Sequence, residues 1–159
     1  MITIQNATTA DVTDLANIMI DGWNSAFRGI LPKDIIQKYT HPQNCIDMFH
    51  HILVSNEGTM YLAKLNGMSV GLLYLVCKDN HANIDGFFTL SAHRGCGIGT
   101  ALIQKALTDS FRLGAKSVSV WPFAQNTHAR HFYEKWGFIP TDNTRFNDAL
   151  EVEYSRTLV

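Results

Sequence analysis

Residues 93–100 combine three glycines at alternate positions with an arginine, and this pattern could bind an anion. The segment, His-Arg-Gly-Cys-Gly-Ile-Gly-Thr, lies between a predicted strand and a predicted amphipathic helix. Because glycines have no side chain, successive backbone N–H groups can converge on one point. A helix beginning near Ile98 adds unpaired N–H groups and the positive end of its dipole. Arg94 adds a charged donor. The segment fits a pyrophosphate, although a tight turn before a helix would also explain the glycines.

Two other phosphate-binding motifs do not fit this segment. A Walker-type loop ends in Gly-Lys-Ser/Thr, whereas Gly99 is followed by Thr100 and Ala101. A dinucleotide-binding fingerprint has the spacing G-x-G-x-x-G in the first strand-to-helix turn and an acidic residue about 20 residues later. Here the third glycine comes one residue too early, and the next predicted strand carries Ser117 and Ser119. Both motifs are therefore excluded.

A second group of residues follows on the next predicted helix. Residues 126–138 have the pattern Asn-x-x-Ala-x-x-Phe-Tyr-x-x-x-Gly-Phe. Together with Arg94-x-Gly-x-Gly after a strand, this pattern resembles the GNAT superfamily of acetyl-CoA-dependent N-acetyltransferases. The resemblance is firm over residues 82–138 and looser over the rest of the chain. Residues 23–32 also resemble the W-x-x-x-[YF]-x-G-[IL]-[IL]-P opening of a bacterial subset of small GNAT proteins.

The resemblance implies a fold and a co-substrate. The fold is α/β (α+β), with a mixed, mostly antiparallel central sheet of 6–7 strands flanked by about four helices, and one domain over residues 1–159. The co-substrate is acetyl-CoA. Residues 94–100, which we call the glycine loop, would hold its pyrophosphate. Residues 87–90 would splay from residues 118–120 and offer free backbone groups to the pantetheine arm. The implied cofactor-binding residues are Phe88, Thr89, Leu90, Arg94, Gly95, Cys96, Gly97, Ile98, Gly99, Thr100, Asn126 and Tyr133.

The resemblance gives Tyr133 the role of general acid toward the departing CoA thiolate. A thiol has a pKa near 8.5 and a phenol one near 10, so the hydroxyl can stabilise the sulfur by a hydrogen bond or by proton transfer. The alternative is that Tyr133 only packs with Phe132 and Trp136.

The proposed reaction also calls for a base. An alkyl amine is uncharged in only about one part in 2,500 at pH 7, so its deprotonation costs roughly 4–5 kcal/mol. Asp85 is the first candidate, because strand alternation puts it on the same face as Phe87 and Thr89. A solvated carboxylate near a turn is the alternative. His81 and His128 are weaker candidates.

The acceptor site is expected at the end of the first predicted helix. Asp21, Trp23 and Phe27 lie there, and Asp21 could attract a cationic amine. The two aromatic residues could instead belong to the core. The acceptor could be a small-molecule amine or a protein amine. A CoA-binding sensor or interaction module without turnover is the alternative to an enzyme.

A metal site is not expected, despite seven histidines. His50 and His51 are neighbours on opposite flanks of a predicted helix. His128 and His131 share a helix face near Glu134, but no third ligand has a convincing position.

The remaining pattern predicts the elements that position these residues. Strands are expected at 2–4, 60–65, 69–76, 82–90, 117–120 and 150–156. Asn66-Gly67 marks a hairpin turn between the second and third of these strands. Helices are expected after Thr8 or Thr9, from Pro42, over 99–113 and over 126–136, with a weaker one over 33–39.

Composition limits the function classes. The chain has 159 residues and a net charge of −1, which argues against a nucleic-acid partner. No apolar run is long enough for a membrane span, and residues 1–5 do not resemble a signal peptide. The three cysteines are few and odd in number, which argues against a disulfide framework. We therefore expect a cytoplasmic protein that binds neither nucleic acid nor membrane, and a homodimer by analogy with small enzymes of the family.

Overall fold

The computed structural model describes all 159 residues and contains one seven-stranded sheet in the order β1-β2-β3-β4-β5-β7-β6. Neighbouring strands are antiparallel except β4 and β5, which are parallel. This arrangement confirms the predicted mixed, mostly antiparallel sheet. The strands are β1 (Ile2–Asn6), β2 (Thr59–Leu65), β3 (Met68–Lys78), β4 (His81–Thr89), β5 (Ser117–Val120), β6 (Ile139–Phe146) and β7 (Leu150–Thr157).

Five α-helices accompany the sheet, against about four expected. They are α1 (Val12–Ala26), α2 (Lys33–Tyr39), α3 (Pro42–Ser55), α4 (Ile98–Arg112) and α5 (Thr127–Lys135). A short 3-10 helix, Thr9–Asp11, precedes α1, and Thr8 begins it through a capping box with Asp11. A second one, Ser91–His93, joins β4 to the glycine loop. None of the helices combines the length and apolar character needed to cross a bilayer.

Two apolar cores lie on opposite faces of the sheet. On one face α4 packs through Leu102, Ile103 and Ala106 against the middle strands. On the other face α1 and α3 bury Leu15 and Phe49 against β2 and β3. Each of these three helices presents apolar side chains at helical spacing, so it buries one face and leaves the other in solvent. β4 contacts helices of both layers, α1 on one face and α4 on the other.

β4 leaves its neighbour β5 halfway along its length. Their parallel pairing covers only His81–Ile84 of β4, whereas the antiparallel pairing of β4 with β3 continues to Thr89. The β3–β4 register also shifts between Tyr74 and Leu75, which leaves Asp85 as an extra residue in a bulge. The second half of β4 therefore has one unpaired edge, and a cleft opens beside it.

β6 is the one strand that the sequence pattern did not predict. Seven of its eight residues are exposed, so it lacks an apolar alternation, and Pro140 is typical of an edge strand. It is paired with β7 alone. The β6–β7 hairpin matters for the site because its tip borders the cleft.

Candidate active site

The cleft beside β4 has a volume of about 800 Å³. The end of α1, the second half of β4, the glycine loop, the start of α5 and the tip of the β6–β7 hairpin surround it. Segments that are far apart in the chain thus meet where β4 and β5 diverge. A crevice at the end of a sheet, where strands separate, is a common position for a ligand site.

The glycine loop forms one end of the cleft. Gly95 and Gly97 have φ values of 79° and 82°, which favour glycine over other residues. Nothing lies within 4 Å of a Cβ built at Gly95, so backbone is open to approach there. Gly97 is the N-terminal cap of α4, and the first N–H groups of that helix have no partner within it. These N–H groups and the helix dipole fit a phosphate.

Two consecutive phenylalanines of β4 face the two sides of the cleft. The Phe87 ring lies 5.7 Å from the Phe132 ring and 6.3 Å from the Tyr133 ring on α5. Phe88 points the other way, and its ring lies 6.2 Å from that of Phe27 in the turn after α1. These two side chains hold α5 and α1 apart. The open strand edge between the helices is the place for an extended ligand arm.

Tyr133 lies in the wall formed by α5. Only 7% of the residue is exposed, and burial raises the pKa of its hydroxyl above the ordinary value. The hydroxyl group makes no hydrogen bond within the protein, although Tyr133 lines the cleft. A neutral hydroxyl without a protein partner is a hydrogen-bond donor available to a ligand.

Asn126 starts the helix that carries Tyr133. Its Oδ1 accepts a hydrogen bond from the Ala129 N–H at 3.2 Å, so it caps α5. The residue also lines the cleft, and its side-chain nitrogen has no partner in the protein. Asn126 can therefore cap the helix and donate to a ligand at once.

A partly buried polar network fixes α5 to β7. The Tyr154 hydroxyl donates to Glu134 at 2.6 Å and accepts from Arg130 Nε at 2.9 Å. Arg130 also donates to the Ala124 carbonyl at 2.9 Å, in the turn before α5. Tyr154 is fully buried. Because both helix residues flank Tyr133, this network restricts rotation of α5 and with it the position of that hydroxyl.

Asp85 lines the cleft from the bulge in β4. Burial raises the pKa of its carboxyl, while a hydrogen bond from Asn83 and the charge of Arg145 act in the opposite direction. The bulge interrupts the alternation on which its predicted orientation depended, yet the residue still borders the cleft. A carboxyl with a raised pKa is better matched to proton transfer near neutral pH than an ordinary one.

Aromatic side chains surround the end of the cleft away from the glycine loop. The Trp23 ring packs edge-on against the Phe27 ring, with 4.9 Å between the ring centroids, and its centroid lies 5.1 Å from that of Tyr39. The ring centroids of Phe27 and Phe123 are 5.0 Å apart. Trp23 and Phe27 thus line the cleft, and they belong to the aromatic packing as well.

The sequence reasoning did not find the residues that the β6–β7 hairpin adds. Arg145 Nε donates to Glu151 at 2.8 Å, and its guanidinium carbon lies 4.4 Å from the Trp121 ring centroid. All three residues line the cleft. Trp121 directly follows β5, which is a signal that could have identified it. Arg145 lies on β6, which has no apolar signature, and Glu151 lies on the predicted β7 but meets Arg145 only through the pairing of the two strands.

Most of the residues proposed for the site line the cleft, but three do not. The Leu90 N–H donates to the Val70 carbonyl at 2.9 Å, and its side chain packs against both cores. Cys96 is exposed at the outer side of the loop. Asp21, predicted to bind the acceptor, does not line the cleft, and both of its carboxylate oxygens accept hydrogen bonds from Ser91. The proposed residues that line the cleft are Trp23, Phe27, Asp85, Phe88, Thr89, Arg94, Gly95, Gly97, Ile98, Gly99, Thr100, Asn126 and Tyr133.

The histidines do not gather into one site. His81 Nδ1 lies 2.7 Å from the Ser117 hydroxyl, outside the cleft, whereas His128 lines the cleft. No group of three or more His, Cys, Asp or Glu side chains is placed so that it could hold a metal ion.

Comparison with known proteins agrees with this geometry. The model of the acetyltransferase (GNAT) family matches residues 19–138. An uncharacterized N-acetyltransferase of Methanocaldococcus jannaschii is 29% identical over 145 residues, which are 86% of this chain and 60% of that protein. One of Archaeoglobus fulgidus is 26% identical over 82% of this chain and 88% of its own length.

Solved structures share the whole fold at low identity. The PaiA N-acetyltransferase of Thermoplasma acidophilum, solved with coenzyme A, has a TM-score of 0.89 at 18% identity and covers 99% of both chains. The ribosomal-protein-S18-alanine N-acetyltransferase of Escherichia coli has a TM-score of 0.72 at 16% identity, over 99% of this chain and 94% of its own. The fold, the glycine loop before α4 and a family model that covers most of the sequence lead to one conclusion: the chain belongs to the GNAT family of acetyltransferases.

Proposed function

We propose that the protein transfers the acetyl group of acetyl-CoA to a primary amine, by direct attack of the amine while both substrates are bound. The observation that carries the proposal is the shared cleft. The glycine loop, an unpaired strand edge and the hydroxyl of Tyr133, which has no protein partner, all border it. The family match and the archaeal relatives, which are named as N-acetyltransferases, support the same activity.

The glycine loop and β4 would bind acetyl-CoA in two ways. Backbone N–H groups of residues 95–100 and the start of α4 would take the pyrophosphate, with Arg94 as a charged donor. The free edge of Gly86–Thr89 would hydrogen bond the amide groups of the pantetheine arm, as an added strand does. The thioester would then lie between Phe87 and Phe88, close to α5.

Tyr133 would stabilise the sulfur as it leaves. The amine nitrogen bonds to the thioester carbonyl carbon, the C–S bond breaks with its electron pair on sulfur, and the nitrogen releases its second proton to solvent as the amide forms. Burial raises the pKa of Tyr133 further above that of a thiol, so full proton transfer to the thiolate is uphill. A hydrogen bond from the neutral hydroxyl to the sulfur therefore supplies the stabilisation, and solvent delivers the proton later.

Asp85 is the proposed base. It borders the cleft, and burial raises the pKa of its carboxyl. In the ionised form it would take a proton from the ammonium group of the acceptor, directly or through a water molecule. The amine would approach along the aromatic side chains of Trp23, Phe27 and Phe123, which can contact a cation through their ring faces.

The acceptor class follows from the same surroundings. The aromatic side chains at this end of the cleft favour a small-molecule amine, which is our first proposal. A protein amine is the second, because a similar fold serves the S18-alanine N-acetyltransferase of Escherichia coli. A cytoplasmic location and a homodimer stay predictions. Light scattering of the purified protein would test the dimer.

An acetyl-transfer assay tests the proposed function. Purified protein is incubated with acetyl-CoA and, in turn, with small amines and with peptides that have free N-termini or lysines, and the released thiol is measured. We expect acceptor-dependent thiol release that Tyr133→Phe reduces by a factor on the order of 100. Binding of CoA without thiol release on any acceptor would instead favour a sensor without turnover. Failure to bind CoA would refute the proposal.

A further inference from the structure

Asp21 is the only acidic residue of α1 that hydrogen bonds with the segment leading into the glycine loop. The Ser91 N–H donates to Asp21 Oδ2 at 2.8 Å, and the Ser91 hydroxyl donates to Asp21 Oδ1 at 2.9 Å. One residue thus occupies both carboxylate oxygens. Ser91 stands where β4 ends and the 3-10 helix toward the loop begins. Hydrogen bonds to a charged acceptor are among the stronger ones in proteins.

A second contact from the same helix face extends this attachment. Arg94 Nη2 donates to the Ser25 hydroxyl at 3.2 Å, and Ser25 lies one helical turn after Asp21. The Arg94 N–H also donates to the Ser91 carbonyl at 3.4 Å. Asp21, Ser91, Arg94 and Ser25 therefore form a closed chain of contacts. It fixes the first residue of the loop, and the direction in which the loop leaves β4, relative to α1.

The loop has few other restraints before α4 begins. No atom of another segment lies within 4 Å of a Cβ built at Gly95, and Cys96 is exposed. A site made of backbone N–H groups depends on the direction of those groups, so a shift of the loop weakens all of its hydrogen bonds together. The hydrogen bonds at Ser91 are therefore the contact through which α1 can fix the direction of the loop N–H groups.

We propose that Asp21 is a positioning residue for the glycine loop, acting through Ser91 to hold the loop in the conformation that binds the phosphates of CoA. The inference rests on the proposed function, since it assumes that CoA is the ligand. It gives Asp21 a role in co-substrate binding, although its position at the end of α1 suggested acceptor binding.

The direction in which the Kd of CoA changes distinguishes this positioning role from simple electrostatic repulsion. A carboxylate near a pyrophosphate repels it, so removing the charge alone would strengthen CoA binding. Removing the hydrogen bonds to Ser91 would loosen the loop and weaken binding. Asp21→Asn removes the charge and also weakens both contacts, because its amide oxygen accepts from the Ser91 N–H without charge assistance and its NH₂ group can only donate to the Ser91 hydroxyl.

The chain provides a matched control on the same helix. Asp14 Oδ2 accepts a hydrogen bond from the Ser69 hydroxyl at 2.8 Å, which also ties α1 to the sheet. This contact lies outside the cleft. Asp14→Asn therefore removes the same charge from the same helix without touching the loop.

The experiment measures the Kd of CoA and of pantetheine, which lacks the phosphates, by calorimetry or competition for wild type, Asp21→Asn and Asp14→Asn. We expect Asp21→Asn to raise the Kd of CoA roughly tenfold, about the effect of losing one hydrogen bond to a charged group. The Kd of pantetheine should be unchanged, and Asp14→Asn should bind both ligands as wild type does.

Two results would overturn the inference. The first is CoA binding by Asp21→Asn that equals or exceeds that of wild type. The second is an equal loss for CoA and pantetheine, which would indicate a general structural role. If Asp21→Asn does not fold, Ser91→Ala replaces it, because it removes one of the two bonds. That variant should show a smaller loss for CoA alone, and wild-type CoA binding would refute the inference. Failure of the wild type to bind CoA would refute the proposed function instead.

Discussion

Gly22 of α1 and Phe88 of β4 are in such close contact that no side chain fits between them. A Cβ built at Gly22 would lie 2.4 Å from Phe88 Cδ1 and 3.3 Å from Phe88 Cβ. The contact sets the distance between the helix that carries Trp23 and the strand whose edge faces the cleft. It therefore couples the aromatic end of the cleft to the proposed CoA-binding end.

Gly22→Ala should disturb this contact and both ends of the cleft. Phe88 must rotate or α1 must move, and overpacking of this kind costs about 1–3 kcal/mol, against about 1 kcal/mol gained in helix propensity. We expect a small loss of stability in chemical denaturation and a rise in KM for both acetyl-CoA and the amine. Asn24→Ala, at an exposed position of α1, is the control. Unchanged KM values for both substrates would contradict the proposed coupling.

Tyr133→Phe should separate catalysis from stability. The hydroxyl makes no hydrogen bond within the protein, so its removal leaves no protein group unsatisfied. We expect an unfolding free energy and a Kd of CoA close to those of wild type, while kcat falls by a factor on the order of 100. Denaturation, CoA binding and steady-state rates check the three parts. A variant with wild-type kcat would show that Tyr133 only packs.

Tyr154→Phe should lower kcat through α5. The substitution removes the hydroxyl that joins Glu134 and Arg130, so α5 loses an attachment on each side of Tyr133. We expect a loss of about 1–3 kcal/mol in unfolding free energy and a fall in kcat of several-fold.

Tyr61→Phe is the matched control for that experiment. Tyr61 is as buried as Tyr154, and its hydroxyl donates to Asp109 of α4 at 2.7 Å, away from the cleft. Its loss should cost similar stability without changing kcat. An equal fall in kcat for the two variants would remove the argument that Tyr154 positions α5.

Asp85→Asn should change the pH dependence of both activity and stability. Burial raises the pKa of the carboxyl in the folded protein, so the folded state binds its proton more tightly than the unfolded state does. Stability therefore falls as the pH rises from the ordinary pKa of an aspartate to the raised one. The asparagine variant lacks this loss. We expect it to melt at or above the wild-type temperature at pH 7, with the difference vanishing in acid.

The activity of the same variant tests the base. In wild type the rate should rise with pH as Asp85 ionises, which gives the pH–rate profile an acidic limb. In Asp85→Asn the rate should be low and this limb should be absent. Asp142→Asn, at an exposed position of β6, serves as the control. A profile that keeps the limb in Asp85→Asn would assign the base to another group.

Local signals explain why much of the site was predictable. The glycine loop and α5 are each continuous in the sequence, and each depends on residue types that serve one geometry, such as glycine at positive φ and asparagine at a helix start. The hairpin of β2 and β3 was predictable for the same reason, because Asn66-Gly67 fits a tight turn. Elements of this kind require no knowledge of their neighbours.

Features that depend on distant contacts were not predictable. β6 has exposed residues on both faces, so no alternation marks it, and the residues it brings to the cleft stay hidden with it. The bulge at Asp85 arises from the register between β3 and β4. Asp21 has the sequence context of an acceptor-site residue, and its hydrogen bonds with Ser91 become visible only where α1 meets the end of β4.

The unpaired half of β4 has a consequence for self-association. Free strand edges are the usual starting points for aggregation, because a second chain can pair with them. Here the edge at Gly86–Thr89 lies between two helices that Phe87 and Phe88 hold apart. A whole strand with side chains on both faces would collide with those helices, whereas a thin, unbranched arm would not. The two helices that leave room for a thin ligand therefore also hinder edge-to-edge pairing with a second copy of the chain.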